Sequence, residues 1–145
     1  MIEISNKTRS RIDKALVSKI ASGFLKKYKR AGQEVSIVFI GDKKMRELNK
    51  QYRNCDAVTD VLSFMETDDM DPGHRGGVKF LGEVVIDYAQ IKRQAKKYSN
   101  TNKDELVFIL VHGLLHLLGY EDESETGRRE MEKLGNKIVK QIKVK

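Results

Sequence analysis

Cysteine is nearly absent from this chain. Cys55 stands alone among 145 residues, so no internal disulfide can form, which suits a reducing compartment. Proline is just as scarce. The single one, Pro72, lies in the only stretch that reads as a clear loop, ETDDMDPGHRGGVK. Neither an internal repeat nor a low-complexity segment is evident. Long hydrophobic runs are missing too. The longest, Leu106 to Leu118, falls well short of the ~20 apolar residues a spanning helix needs, and it holds two polar rings. The first residues, MIEISNKTRS, contain no apolar signal core. Together these absences predict a soluble, cytoplasmic protein without a membrane partner.

What the chain has in quantity is charge. Charged residues make up 34%, and Lys+Arg 28 against Asp+Glu 21 leaves a net +7. Such an excess favours an anionic partner such as nucleic acid, although many basic proteins bind none. Hydrophobic residues, at 39%, fit an ordinary soluble protein, and the length suffices for one domain, 1–145, with a real core.

Periodicity predicts the elements. Residues 2–4 read as a short strand. SRIDKALVSKIASGFLKKY has Ile12, Leu16, Ile20, Phe24 and Leu25 at helical spacing, with Gly32 as its stop. EVSIVFIG, DVLSFM and FLGEVVID read as strands. Asp42 is placed as the N-cap of a helix over KKMRELNKQYR. A basic amphipathic helix, YAQIKRQAKKY, follows the last strand, and a charged helix runs from about Ser124 to Ile142. Between those two lies a helix apolar nearly all round, with Asn102 and Glu105 as its capping box. A helix of that kind belongs at the centre of a fold. The class predicted is α+β, a small mixed β-sheet with helices packed on it.

That central helix carries His112 and His116. Residues four apart on a helix project from one face, so two imidazole nitrogens can converge on one ion. Gly113 lies between them and leaves the site uncrowded. Gly119 is a natural helix stop, after which YEDE can return a carboxylate towards the ion. Two histidines, one carboxylate and a fourth position for water make a catalytic zinc layout. The competing reading is a pair of core histidines bonded to backbone. The glycine and the acidic cluster behind the pair favour metal.

HGLLHLLGYED resembles the signature of the YbeY family, metal-dependent endoribonucleases of bacterial ribosomal RNA maturation, whose motif runs His-Gly-x-x-His-Leu-x-Gly-Tyr-Asp-His. LNKQYRNCDAVTDVLSF and LGEVVID resemble two further blocks of that family, in order. The resemblance implies a zincin-like fold around a central buried metal-binding helix, and one zinc ion held by three histidines. His112 and His116 match the first two. The third position falls on Asp122, and Glu121 replaces the aspartate before it. A carboxylate there keeps an accepted ligand set but lowers the site's charge and admits harder divalent ions. Arg53 matches an arginine facing the site, where a guanidinium can fork onto phosphate oxygens. Val58 and Met65 replace prolines, which predicts local loop changes.

The implied activity is hydrolysis of single-stranded RNA in ribosomal RNA processing (the 16S 3′ end), with the small ribosomal subunit as partner. Bound Zn2+ brings a water's pKa down to ~7 and so supplies hydroxide near neutral pH. Lys92, Arg93, Lys96 and Lys97, with Lys26, Lys27, Lys29 and Arg30, are candidates to track the RNA backbone. Three rivals remain open: a zinc peptidase, which would need a glutamate where Gly113 stands; a ribosome-associated factor with a purely structural metal; and an iron oxygenase. His74 has no assigned role, and nothing in the residues sets the oligomeric state.

Overall fold

Period-two alternation in EVSIVFI sends Val35, Ile37 and Phe39 to one side, all fully buried, and leaves Ser36 and Val38 half-buried on the other. The same alternation in FLGEVVID buries Val84 and Ile86 beside them. These segments anchor a computed structural model that describes residues 1–66 and 79–144. Positions 67–78, with Pro72 and His74, carried most of the expected loop and lie outside the described residues.

The elements in chain order are β1 (Ile2–Asn6), α1 (Lys14–Lys27), β2 (Glu34–Ile40), α2 (Asp42–Arg53) and β3 (Val61–Met65). After them come β4 (Phe80–Asp87), α3 (Tyr88–Lys97), α4 (Asn102–Leu117) and α5 (Glu125–Val144). The sheet order is β1-β2-β4-β3, with β1, β2 and β4 parallel and β3 antiparallel to β4. Parallel neighbours require a long crossover, and α1 supplies it between β1 and β2. The class is α+β, a small mixed sheet with helices on it.

One face of the sheet packs on α4 and α1. The main core holds Phe24, Phe39, Ile86, Leu110 and Leu114, all fully buried. α4 is central: it touches α1, α3, α5, β3 and β4. Each of its buried leucines contributes about 1.5–3 kcal/mol. That far outweighs the roughly 1 kcal/mol a mid-helix glycine costs, so Gly113 is tolerated. Among the described residues, the opposite face is covered where Met45 of α2 meets Ile40, Leu62 and Val85.

Helix ends differ from expectation in three places. α1 stops at Lys27, short of Gly32, because Lys29 takes the left-handed turn (φ 58) and Arg30 N–H donates to the Leu25 carbonyl at 2.7 Å. This Schellman closure needs no glycine when the residue is solvated. Gly41, not Asp42, is the N-cap of α2; Asp42 opens the first turn and ion-pairs with Arg93 of α3 at 2.8 Å. Thr101, not Asn102, caps α4, its side chain accepting from Asp104 N–H at 3.0 Å. Glu105 is instead buried and accepts from Gln94 and Asn100, each at 3.2 Å. Among the described residues no helix is long and apolar enough to cross a membrane.

Candidate metal centre

The site is built where α4 runs out. His112 and His116 lie on its last two turns and share a face, so their Nε2 atoms come within 3.2 Å. Gly119 then adopts φ 97, its N–H donating to the His116 carbonyl at 3.0 Å, while Tyr120 N–H donates to Leu115 at 3.2 Å. This closure reverses the chain, as expected of a glycine stop. The reversal carries Asp122 back over the rings. Asp122 Oδ2 lies 3.3 Å from His112 Nε2 and 3.5 Å from His116 Nε2.

Glu121 holds that turn in shape. Its carboxylate accepts from Glu123 N–H at 2.8 Å, Ser124 N–H at 3.1 Å and Ser124 hydroxyl at 2.9 Å, bonds that keep its pKa below the usual range. Ser124 in turn accepts from Gly127 N–H at 2.9 Å and starts α5. The sequence reading missed this role. Its signal was there, an acid three residues ahead of a helix-capping serine.

A tetrahedral ion with bonds of about 2.0–2.1 Å spaces its ligands about 3.3–3.4 Å apart. The three edges of the His112–His116–Asp122 triangle are 3.2, 3.3 and 3.5 Å. The donor set fits one such ion. Among the described residues no fourth histidine, cysteine or carboxylate joins the group. The His116 Nδ1 lies 3.0 Å from the Tyr120 carbonyl oxygen. That acceptor places the proton on Nδ1 and leaves Nε2 with a free lone pair. Burial pushes the His112 pKa down, and the charge of His116 pushes the same way, against Asp122 and Asp60. A ring that resists protonation keeps its lone pair available.

In front of the triangle a cavity of about 410 Å³ opens, lined also by Arg53, Thr59, Asp60 and Ser63. Arg53 ends α2, where Asn54 turns left-handed (φ 55) and Cys55 N–H donates back to Asn49 at 3.2 Å. Buried Asn49 donates to the Ala57 carbonyl at 2.9 Å, and Arg46 pairs with Asp56 at 2.7 Å. These bonds set the course of the segment from Arg53 to Thr59. The Arg53 side chain makes no hydrogen bond or ion pair to another described residue, so its guanidinium is available to a ligand. Asp60, which the sequence reading passed over, accepts from Gln94 at 3.2 Å.

Gly113 serves a different purpose from the one expected. A Cβ there would meet Val84 Cγ1 at 2.7 Å and Val61 Cγ2 at 3.0 Å, so the residue faces the sheet. Ser63 hydroxyl donates to its carbonyl at 2.8 Å. The glycine lets α4 sit close on β3 and β4. Val58 packs on the small core under α2, and Met65 ends β3 half-exposed.

The family model described as Endoribonuclease YbeY matches residues 2–143. The chain belongs to the YbeY endoribonuclease family. Proteins named Endoribonuclease YbeY are similar to it in Thermodesulfovibrio yellowstonii, 44% identical over 110 residues (75% of this chain, 67% of the relative), and in Alkaliphilus metalliredigens. The second is 39% identical over 133 residues (91% of this chain, 83% of the relative). The solution structure of TM1509 from Thermotoga maritima superposes with a TM-score of 0.65 at 26% identity, covering 98% of this chain and 89% of that one. Family membership makes the chain an endoribonuclease-type hydrolase. The basic residues offered for RNA tracking are partly committed elsewhere. Arg93 pairs with Asp42, and Lys92 and Lys97 sit over the rings of Tyr88 and Tyr98 at 5.3 and 5.5 Å.

Proposed function

We propose that this chain is a metal-dependent endoribonuclease of the cytoplasm, one domain long, that cleaves single-stranded RNA during ribosomal RNA processing. The reading rests on family membership and, in this chain, on one observation: three ligand atoms within 3.5 Å of one another beside an uncommitted arginine. His112, His116 and Asp122 would hold the ion, zinc being the favoured metal. When bound, it would supply Lewis acidity and a water acidic enough to ionise near neutral pH.

The chain's own residues do the rest. The Tyr120 carbonyl fixes the His116 ring and its proton, so the His116 Nε2 stays aimed at the point it shares with His112 Nε2. The Asp122 carboxylate offsets part of the ion's charge. Arg53 reaches the same cavity and would fork onto non-bridging phosphate oxygens, stabilising the charge that grows there as the phosphodiester bond breaks. A peptidase reading finds no general base in the helix, since a glycine turned to the sheet follows the first histidine. The open side of the triangle favours catalysis over a purely structural ion.

The deciding experiment is elemental analysis of the purified chain combined with digestion of single-stranded RNA, with and without chelator. One metal per chain and chelator-sensitive cleavage are expected, and His112→Ala should lose both. Full cleavage by a verified metal-free His112→Ala variant would refute the reading.

A further inference from the structure

Beside α2, the sheet face forms a groove of about 1020 Å³ among the described residues, well above the metal-site cavity in size. Lys44, Leu48 and Tyr52, four residues apart along α2, form one wall, and Val38, Phe64 and Glu83 of the sheet lie along it. Tyr52 stands edge-on to Phe64, ring centroids 5.0 Å apart at 71°. Tyr52 is nevertheless 58% exposed, and Met65, also lining the groove, is 52% exposed. An aromatic ring braced from behind and open in front is a surface on which a planar group can stack.

The groove borders the metal-site cavity. Ser63 and Met65 line both, and Tyr52 in the groove directly precedes Arg53 in the cavity. β3 is the edge strand between them, so a chain leaving the ion passes over that edge and down the open face. Charges along the groove cancel, Lys7 and Lys44 against Glu66 and Glu83. Phosphate attraction alone would therefore hold a strand there weakly. Stacking would not.

We propose that this groove binds the nucleotides flanking the cleaved phosphate of a single-stranded RNA, with Tyr52 as the platform for one unstacked base. This rests on the nuclease reading for the identity of the strand. Only single strands present a free base face to such a ring, so the groove also excludes duplex.

The test is stopped-flow anisotropy of a labelled polyadenylate of about twelve nucleotides, mixed with the metal-loaded full chain so that binding is read before cleavage. Tyr52→Ala should weaken binding about 5- to 140-fold, with the salt dependence unchanged. Tyr52→Phe should bind as the parent does. Tyr52→Leu keeps an apolar cover over Phe64 without a π-face and should bind as poorly as Tyr52→Ala. Lys44→Gln should lower the salt slope by about 0.7. Parental affinity in Tyr52→Ala or in Tyr52→Leu would overturn the proposal. Tyr52-dependent binding by a chain that never cleaves RNA would keep the groove and sink the nuclease reading; cleavage with Tyr52-independent binding would do the reverse.

Discussion

The Nδ1 atom of His116 lies 3.0 Å from the carbonyl oxygen of Tyr120, and this contact joins the two halves of the metal centre. One half is a helix face, the other a turn that exists only because Gly119 is left-handed. The turn thus does two things at once: it orients a ring and delivers the carboxylate of Asp122.

Removing the turn's conformational freedom should separate those roles from simple packing. At Gly119 an added Cβ meets nothing within 4 Å, but φ 97 strains any L side chain. Gly119→Ala is expected to lose roughly 1–2 kcal/mol and to bind metal less tightly. Gly113→Ala has the opposite cause, a collision with Val84 and Val61, and should lose about 1–3 kcal/mol. Denaturant melts with metal titrations check both. Parental metal affinity in Gly119→Ala would show that the turn does not position Asp122.

Arg53→Ala should leave metal stoichiometry intact while turnover of RNA falls about 10²–10³-fold. Elemental analysis beside single-turnover kinetics separates the two effects. Loss of metal in this variant would make Arg53 a structural residue.

Asp122→His adds a third imidazole to the triangle. A softer ligand set should favour zinc over manganese relative to the parent, read by competition dialysis. An unchanged preference would mean Asp122 does not reach the ion.

Asp87 provides a pH-dependent check on the fold. It is fully buried at the N-cap of α3, accepting from Ala89 N–H at 3.1 Å. Burial first, then the neighbouring Asp42 carboxylate, push its pKa up to about 7, and its Oδ2 has no hydrogen-bond partner among the described residues. The hydrogen bond from Arg93 holds the Asp42 pKa low, so of the two carboxyls Asp87 is the one that keeps its proton. A carboxyl raised on folding stabilises fully below its unfolded pKa of ~3.9, and that contribution is lost as pH rises through the folded value. Asp87→Asn retains the cap acceptor and removes the titration. Its Tm relative to the parent should climb between about pH 4 and pH 7 and level off above, by about 2–4 °C for each kcal/mol relieved. Parallel pH curves for the two proteins would contradict this.

Strands and helices were legible because each carries a period. FLGEVVID spans β4 to the residue, and the apolar girth of residues 106–118 marked α4 as the helix at the centre. Cap positions were less so. Asp42, Asn102 and Gly32 each have the right chemistry for the cap or stop assigned to them. Partners from distant segments, such as Arg93 for Asp42, or a solvated Lys29 took the decision elsewhere. Gly113 was read as room for a metal, when the atoms that need the room are valine methyls from two strands.

The sequence by itself determined that two imidazoles share a helix face and that the chain turns back after Gly119, since helical spacing and glycine's freedom at positive φ are local properties. It also determined the family, through ordered blocks of residues. Only the tertiary structure decided that Asp122 closes the triangle, that Arg53 enters the same cavity and that Tyr52 stands over an open sheet face. The first depends on how the short turn after Gly119 folds back on the helix; the other two are distances between segments far apart in the chain, set by packing of α4 and α2 on opposite faces of one sheet.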